Sequence, residues 1–364
     1  MTVLIITHSQ DNESIPLVIK EIESQGGKAF RFDTDRFPTE LQLDICYKSG
    51  CEQIILTSDN NKLDFNEVSA VWYRRIAIGA RIPTNMDKQL RQASIGECRA
   101  TIQGAIASIR GFHLDRVANI RLAENKQLQL QVARECGLDT PRTLTTNNPQ
   151  AVKKFAQDCE GGIIAKMLSS FAIYDKKGQE NVVFTNSVSS QDLDNLAQLH
   201  LCPMTFQEKV PKALELRTTI VGKQVFTAAV DSQALLHARN DWRRQGLALL
   251  NAWQLYKLPQ DVEKKLLQLM DYFGLNYGAI DIILTPDNRH VFLEINPVGE
   301  FFWLEGTPGL PISNAIAQTL LTFEQKHQYQ LPNFSFPENK DSLFASAFQH
   351  HSNNATGYEQ SETN

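Results

Sequence analysis

The residues best placed to do chemistry lie in one segment, YGAIDIILTPDNRHVFLEINPVGE (277–300). Two apolar runs flank Thr285–His290, which carries Pro286, Asp287 and Asn288, a turn composition. A hairpin centred between Asp287 and Asn288 sets Asp281 opposite Glu294 and Ala279 opposite Asn296. Strand side chains alternate with a period of two. Ile280, Ile282 and Leu284 therefore share a core face with Val291, Leu293 and Ile295, and Asp281, Glu294 and Asn296 share the other. Like charges directly opposite one another destabilise a sheet, and partial burial raises the cost. A bound cation removes the conflict. Three oxygen donors with neither sulfur nor imidazole suit Mg²⁺.

Other elements must hold this hairpin. Residues 1–75 alternate strand and helix: Val3–Thr7, a helix over Ser14–Gln25 closed by Gly26-Gly27, a strand at Ala29–Phe32, and a later strand at Ala70–Arg74. This is an α/β domain with a parallel sheet, and it lacks the GxGxxG signature of a dinucleotide site. Asp33, Asp35 and Arg36 form either a solvated strand-end loop or a substrate-facing edge. A long helix is expected over 86–110, with Leu90, Ile95, Ile102, Ile106 and Ile109 on its apolar side, and a second over Ala123–Cys136, closed by Gly137. From there to about 325 the pattern is α+β. Its strands are near Gly162–Met167, Val182–Thr185, Thr205–Val210, Arg217–Val221, Gln224–Ala229, Ile280–Leu284 and Val291–Asn296. Helices near Gln191–Gln198 and Asp261–Phe273 interleave with them. The tail ends in a polar stretch almost without aliphatics, the composition of a flexible end.

The 364 residues suffice for two or three packed domains. A net charge of −5 argues against a general nucleic-acid binder. No apolar run reaches membrane-spanning length, and the start, MTVLIITHSQDNES, reads as a strand and not as a secretory signal. The six cysteines are scattered without CxxC pairs, so free thiols in a reducing cytoplasm are expected.

The paired strings GAIDII and FLEINPVGE resemble the C-terminal metal-binding strands of the ATP-grasp superfamily. The resemblance implies a three-part α/β and α+β fold that binds ATP and two Mg²⁺ ions. It carries the metal roles onto Asp281, Glu294 and Asn296. It also implies two phosphate-binding lysines, Lys126 in AENKQLQLQVARECGLDTPRTL and Lys166 in GGIIAKML. A Lys inside an apolar strand is expensive unless its ammonium meets a charge. The family's phosphate-covering loop corresponds to Ser169–Glu180, with a single glycine, Gly178. Its adenine hinge corresponds to Phe206-Gln207-Glu208-Lys209-Val210, with Glu208, Lys209 and Val210 as the binding residues and main-chain groups at 208 and 210 facing the base. Glu215 would hold the ribose, and Arg217 and Arg243 would offset charge on the transferring phosphoryl group.

Further strings narrow the match: DNESIPLVIKEIE, FRFDTDRFPTE, VSAVWYRR, PKALELR, the DWR segment and NPVGEFFWLE. Over roughly residues 1–325 the chain is similar to the microviridin-type ATP-grasp ligases, the graspetide macrocyclases, and most of all to their ester-forming member. That implies a homodimer acting on a ribosomally made precursor peptide with a helical leader. Side-chain carboxylates would be linked to Thr or Ser hydroxyls, and the leader would dock near Gln191, Asp192 and Asn195. A Ser-capped surface helix is the plainer reading of that stretch. The implied domains are 1–115 (N-terminal α/β), 116–205 (central), 206–328 (C-terminal ATP-grasp) and a tail at 329–364. The alternatives are an amide-forming ATP-grasp ligase and a non-catalytic ATP-binding regulator.

Overall fold

A computed structural model of the chain describes residues 1–48, 51–58, 61–168, 172–174, 180–182, 185–234 and 246–322. The first elements are β1 (Thr2–Thr7), α1 (Ser14–Ser24), β2 (Lys28–Asp33), β3 (Leu41–Lys48), β4 (Cys51–Ser58), β5 (Asn61–Asp64), β6 (Val68–Tyr73), α2 (Lys88–Ala107) and β7 (Phe112–His113). A parallel sheet runs β2-β1-β6-β7, and β3-β4-β5 form an antiparallel sheet of their own. The unbroken apolar run Val3–Ile6 reflects burial on both faces. Val3 and Ile5 pack with α1, whereas Leu4 and Ile6 pack with Phe30, Phe32, Ile102 and Ile106. The expected helix over 86–110 is shorter. Asp87 caps it by accepting from the Gln89 and Leu90 N–H groups, and Ile109 is buried just beyond its end. Leu90, assigned to the apolar side, is exposed on the first turn.

Next come α3 (Val117–Ala123), α4 (Lys126–Glu135), β8 (Thr143–Thr146), α5 (Pro149–Gln157), β9 (Ile163–Lys166), β10 (Ala172–Tyr174), β11 (Glu180–Val182), β12 (Asn186–Ser187), α6 (Ser190–Asp194) and β13 (Met204–Glu208). The helix expected over Ala123–Cys136 is thus two, broken at Glu124-Asn125, and Lys126 opens the second instead of lying inside the first. Of the strand expected at Val182–Thr185, Val182 ends β11, Thr185 stands outside any strand, and residues 183–184 lie outside the described residues. The helix expected over Gln191–Gln198 ends at Asp194 and resumes as a 3-10 helix over Leu196–Leu201. An antiparallel sheet runs β12-β9-β13-β8, with Ile163 and Phe206 packed on Val152 and Phe155 of α5. The expected phosphate loop lies largely outside the described residues; its flanks pair as β10 and β11.

The last elements are β14 (Leu214–Val221), β15 (Gln224–Val230), α7 (Gly246–Leu249), β16 (Gln254–Leu255), α8 (Gln260–Phe273), β17 (Tyr277–Leu284), β18 (His290–Asn296), α9 (Phe302–Gly306) and α10 (Ile312–Thr322). Five antiparallel strands run β16-β15-β14-β17-β18, and α8 covers one face with Leu266, Leu269, Met270 and Phe273. Asp281 pairs with Glu294 and Ala279 with Asn296, the register expected from sequence. Nearer the turn the register slips: Ile282 pairs with Phe292 and Leu284 with His290. The extra residue is a bulge, and a one-residue slip exchanges faces. Phe292 therefore takes the core position expected for Leu293, and Leu293 lines the cleft beside Glu294. Arg243 and the tail lie outside the described residues.

Candidate active site

Three charged side chains stand abreast on neighbouring strands: Arg217 on β14 pairs with Asp281 on β17, which pairs with Glu294 on β18. The repulsion expected between the two acids is relieved by protein cations. Arg217 donates to Asp281 Oδ1 at 2.8 Å, and Lys126 Nζ sits 3.0 Å from Glu294 Oε2. Burial alone would push the Glu294 carboxyl up, but Lys126 and Lys166 beside it hold it down at about 2. Asn296 donates to Glu294 Oε1 at 3.2 Å and offers its own Oδ1 to Lys126 at 3.2 Å. Two ionised carboxylates and one amide oxygen thus converge. Among the described residues no group of three or more His, Cys, Asp or Glu forms a separate metal cluster. The donor set of Asp281, Glu294 and Asn296, all hard oxygens with two of them anionic, fits Mg²⁺.

Lys126 owes its place to Gln129, one turn further along α4. The buried Gln129 amide donates to Ile295 O at 2.8 Å and accepts from Ile295 N–H at 3.0 Å, pairing with the open edge of β18 as another strand would. Lower on the same edge, Phe292 N–H donates to Asp139 O at 2.8 Å. The first turn of α4 is thereby fixed over Glu294 and Asn296. Sequence reasoning passed over Gln129. Its signal was a glutamine one turn before Val132 and Ala133, on what is otherwise the apolar side of the helix.

Arg217 is 6% exposed; both of its terminal nitrogens are engaged, whereas its Nε is buried with no hydrogen-bond partner among the described residues. Its second terminal nitrogen donates to Glu300 O at 3.0 Å, and its guanidinium carbon stands 5.7 Å from the Trp303 ring centre. Asp281 more than offsets the effect of burial on its charge. Glu215, two residues earlier on β14, is buried and accepts from Lys212 at 3.0 Å.

A cleft opens beside Glu294. One wall is Lys126, Gln127, Leu130, Leu293 and Glu294; the other is Thr143, Thr145, Lys166, Met167, Leu168, Thr205 and Gln207. The second wall is built by alternation, with Thr143, Thr145, Thr205 and Gln207 facing the cleft while Leu144 and Phe206 face α5. Thr143 donates its hydroxyl to Pro141 O at 2.9 Å, so it accepts from Gln207 Nε2 at 3.0 Å. That fixes the orientation of the amide. Gln207 Oε1 is buried with no hydrogen-bond partner among the described residues. At the end of β13, Glu208 N–H donates to Arg142 O and Lys209 N–H to Gly162 O, both at 3.0 Å. The main chain of residue 208 can therefore offer a ligand its carbonyl at most. The Val210 N–H has no partner among the described residues.

Gln191 and Asp192 on helix α6 and Asn195 at its C-cap are exposed and do not line this cleft. Asp192 is engaged in a capping box with Ser189, whose N–H and hydroxyl reach its carboxylate at 2.8 and 2.7 Å; these bonds lower its pKa. Asn195 donates to Gln191 O at 2.9 Å. The capped helix read from sequence is present.

Comparison with known proteins accords with this geometry. The family profile described as the MvdD pre-ATP grasp domain matches residues 2–121. Among curated proteins, none matches the chain. Among solved structures, macrocyclase MdnC from Microcystis aeruginosa MRC, bound with precursor peptide MdnA, is 59% identical with a TM-score of 0.81, covering 88% of this chain and 100% of its own. A Chryseobacterium gregarium RiPP-associated ATP-grasp ligase, in complex with ADP and a leader and core peptide, is 38% identical with a TM-score of 0.86, covering 91% and 99%. Macrocyclase MdnB from the same Microcystis strain is 37% identical with a TM-score of 0.74, covering 88% and 99%. Together with the acidic hairpin and its paired cations, these matches place the chain: it belongs to the microviridin-type ATP-grasp macrocyclases and is an ATP-dependent ligase.

Proposed function

We propose that this ligase macrocyclises a ribosomally made precursor peptide, activating Asp or Glu side chains with ATP and joining them to Thr or Ser hydroxyls as esters. The observation that carries the reading is the row Arg217–Asp281–Glu294 with Lys126 above it and Lys166 across the cleft. Two cations and a metal-binding carboxylate pair in one place suit the triphosphate end of a nucleotide. Lys126 and Lys166 are assigned to the phosphates, the Val210 N–H and the Glu208 carbonyl with Lys209 between them to the adenine edge, and Glu215 to the ribose. Asp281, Glu294 and Asn296 would hold Mg²⁺. Bound there, Mg²⁺ offsets the charge of the phosphate oxygens.

In the reaction, a substrate carboxylate oxygen attacks the γ-phosphorus and ADP leaves, giving an acyl phosphate. A substrate hydroxyl then attacks the acyl carbon, its proton is lost, and inorganic phosphate leaves. Arg217 stands where it can balance charge on the transferring group. The chain supplies position and charge, and none of its side chains forms a covalent intermediate. Docking of the helical leader at Gln191 and Asn195, with Asp192 held in its cap, belongs to the same proposal, as does the homodimer.

The test is incubation of the chain with ATP, Mg²⁺ and a candidate precursor peptide, followed by mass spectrometry. One water is expected to be lost per ring, and alkaline hydrolysis should restore it. Rings that survive alkali would make the product an amide, and an unmodified peptide with no ADP released would overturn the ligase assignment.

A further inference from the structure

Immediately after β18 the chain makes a tight turn, with Gly299 N–H donating to Asn296 O at 3.1 Å. This turn presents Glu300 O to Arg217. It has no slack at Gly299, where a β-carbon would run into Ala279 Cβ and come within 2.9 Å of the Arg217 terminal nitrogen. What holds the turn comes from a distant part of the sequence. Arg74, the residue after β6, is 1% exposed and donates to Val298 O at 2.9 Å and Gly299 O at 3.2 Å. Its other terminal nitrogen donates to the Glu300 carboxylate at 3.0 Å. Tyr277 OH donates to Gly299 O at 2.7 Å.

Arg74 is itself fixed. Its N–H donates to Ile6 O at 2.9 Å, and its guanidinium carbon lies 5.4 Å from the Trp72 ring centre. The charges around it close. Arg74 and Arg75 face the carboxylates of Asp11 and Glu300, and Asn12 donates to Glu300 as well. Two guanidinium groups and two carboxylates leave no net charge to attract an anionic substrate. Buried ion networks of this kind add little stability over apolar packing of the same volume. What Arg74 supplies is geometry.

We propose that Arg74 is a positioning residue for phosphoryl transfer: through the Val298–Glu300 turn it sets the Arg217 guanidinium against Asp281. The proposal rests on the ligase reading above. It makes the N-terminal parallel sheet part of the catalytic apparatus, since Arg74 hangs from β1 and β6. A guanidinium displaced by about 1 Å costs on the order of 100-fold in rate, and the loss falls on the chemical step because Arg74 touches neither lysine of the cleft.

The experiment uses the full chain with ATP, Mg²⁺ and precursor peptide, and compares wild type, Arg74→Met, Arg217→Lys and the double variant. Arg74→Met is expected to lower kcat about 100-fold, with KM for ATP and the calorimetric affinity for ADP unchanged. The double variant should be no slower than Arg217→Lys alone, because both changes remove one arrangement. A wild-type kcat in Arg74→Met, a loss confined to KM, or losses that multiply would each overturn the proposal. Should Arg74→Met fail to fold, Tyr277→Phe, which withdraws one hydroxyl from the same turn, must lower kcat by a smaller factor at constant KM; an unchanged kcat there also overturns it. Failure of the wild-type chain itself to release ADP with the peptide would count against the ligase reading instead.

Discussion

The two walls of the cleft hold different kinds of polar groups. On the β18 side Lys126 and Glu294 are ionised and paired, and the row continues on the neighbouring strands with Arg217 paired to Asp281. On the β8-β9-β13 side, apart from Lys166, the groups are neutral: Thr145 and Thr205 share a hydrogen bond of 2.9 Å, and Thr143 holds Gln207. A charged wall can exchange its partners for phosphate and metal, because each member already lives with an opposite charge. A neutral wall brings no formal charge to an ion but can read the donors and acceptors of an uncharged ring. On the proposed reading, the β18 side takes the triphosphate with Lys166 facing it from β9, and the rest of the β8-β9-β13 side takes the base.

The sharpest way to break this division is to remove a charge from the first wall. Asp281→Ala should abolish ADP release in the presence of precursor peptide. It should also destabilise the chain by about 4 kcal/mol, because a guanidinium is left buried without its partner. Denaturant unfolding separates the two effects: Asp281→Leu combined with Arg217→Met should recover most of the stability and none of the turnover. Retained turnover in Asp281→Ala would remove Asp281 from the metal site.

Glu294 gives the next largest effect, read through pH. Its folded carboxyl is held at about 2 against an ordinary 4.5. A depressed acid adds stability that is fully present above the ordinary value and is lost as the pH falls toward the folded one. Glu294→Gln should therefore be less stable than wild type at neutral pH by about 3 kcal/mol. The two unfolding curves should converge between pH 4.5 and 2. A gap that persists at pH 2 would mean that Lys126 and Lys166 do not set the charge of this wall. A smaller effect is expected at Gln129, where Gln129→Leu strands both polar groups of Ile295 at the strand edge. A loss of about 2 kcal/mol in unfolding and a raised KM for ATP, with Lys126 no longer held in place, are the outcomes to measure.

The two walls were unequally legible in the sequence. Asp281, Glu294 and Asn296 could be aligned because a hairpin makes register a matter of counting. Even so, the bulge that sends Leu293 to the cleft and Phe292 to the core was not visible, since both residues are apolar and either pattern satisfies alternation. The break before Lys126 was missed because AENKQL reads as continuous helix, and no side chain caps the second segment. Arg74 and Glu300 are 226 positions apart, and only the folded chain joins them. The neutral wall left almost no trace, since Thr and Gln in short strands are as common on a solvated face as in a site. The resemblance supplied the hinge, Gln207 within it, but gave the Gln207 side chain no role.

Gln207 is where the neutral wall can be tested. Its amide nitrogen is committed to Thr143, whose proton is in turn committed to Pro141, so the oxygen facing the cleft is an acceptor only. Adenine presents an amino group at its six position, and guanine presents a carbonyl there. An acceptor buried at that point favours the first and opposes the second, because a site built to receive a donor rejects an analogue that lacks it. Gln207→Leu should lower kcat/KM for ATP about tenfold, the cost of one such hydrogen bond, and leave the low value for GTP unchanged or slightly raised. Discrimination would then narrow from the ATP side alone. Equal losses for both nucleotides would place the base elsewhere, and the wall opposite the charges would be packing and not recognition.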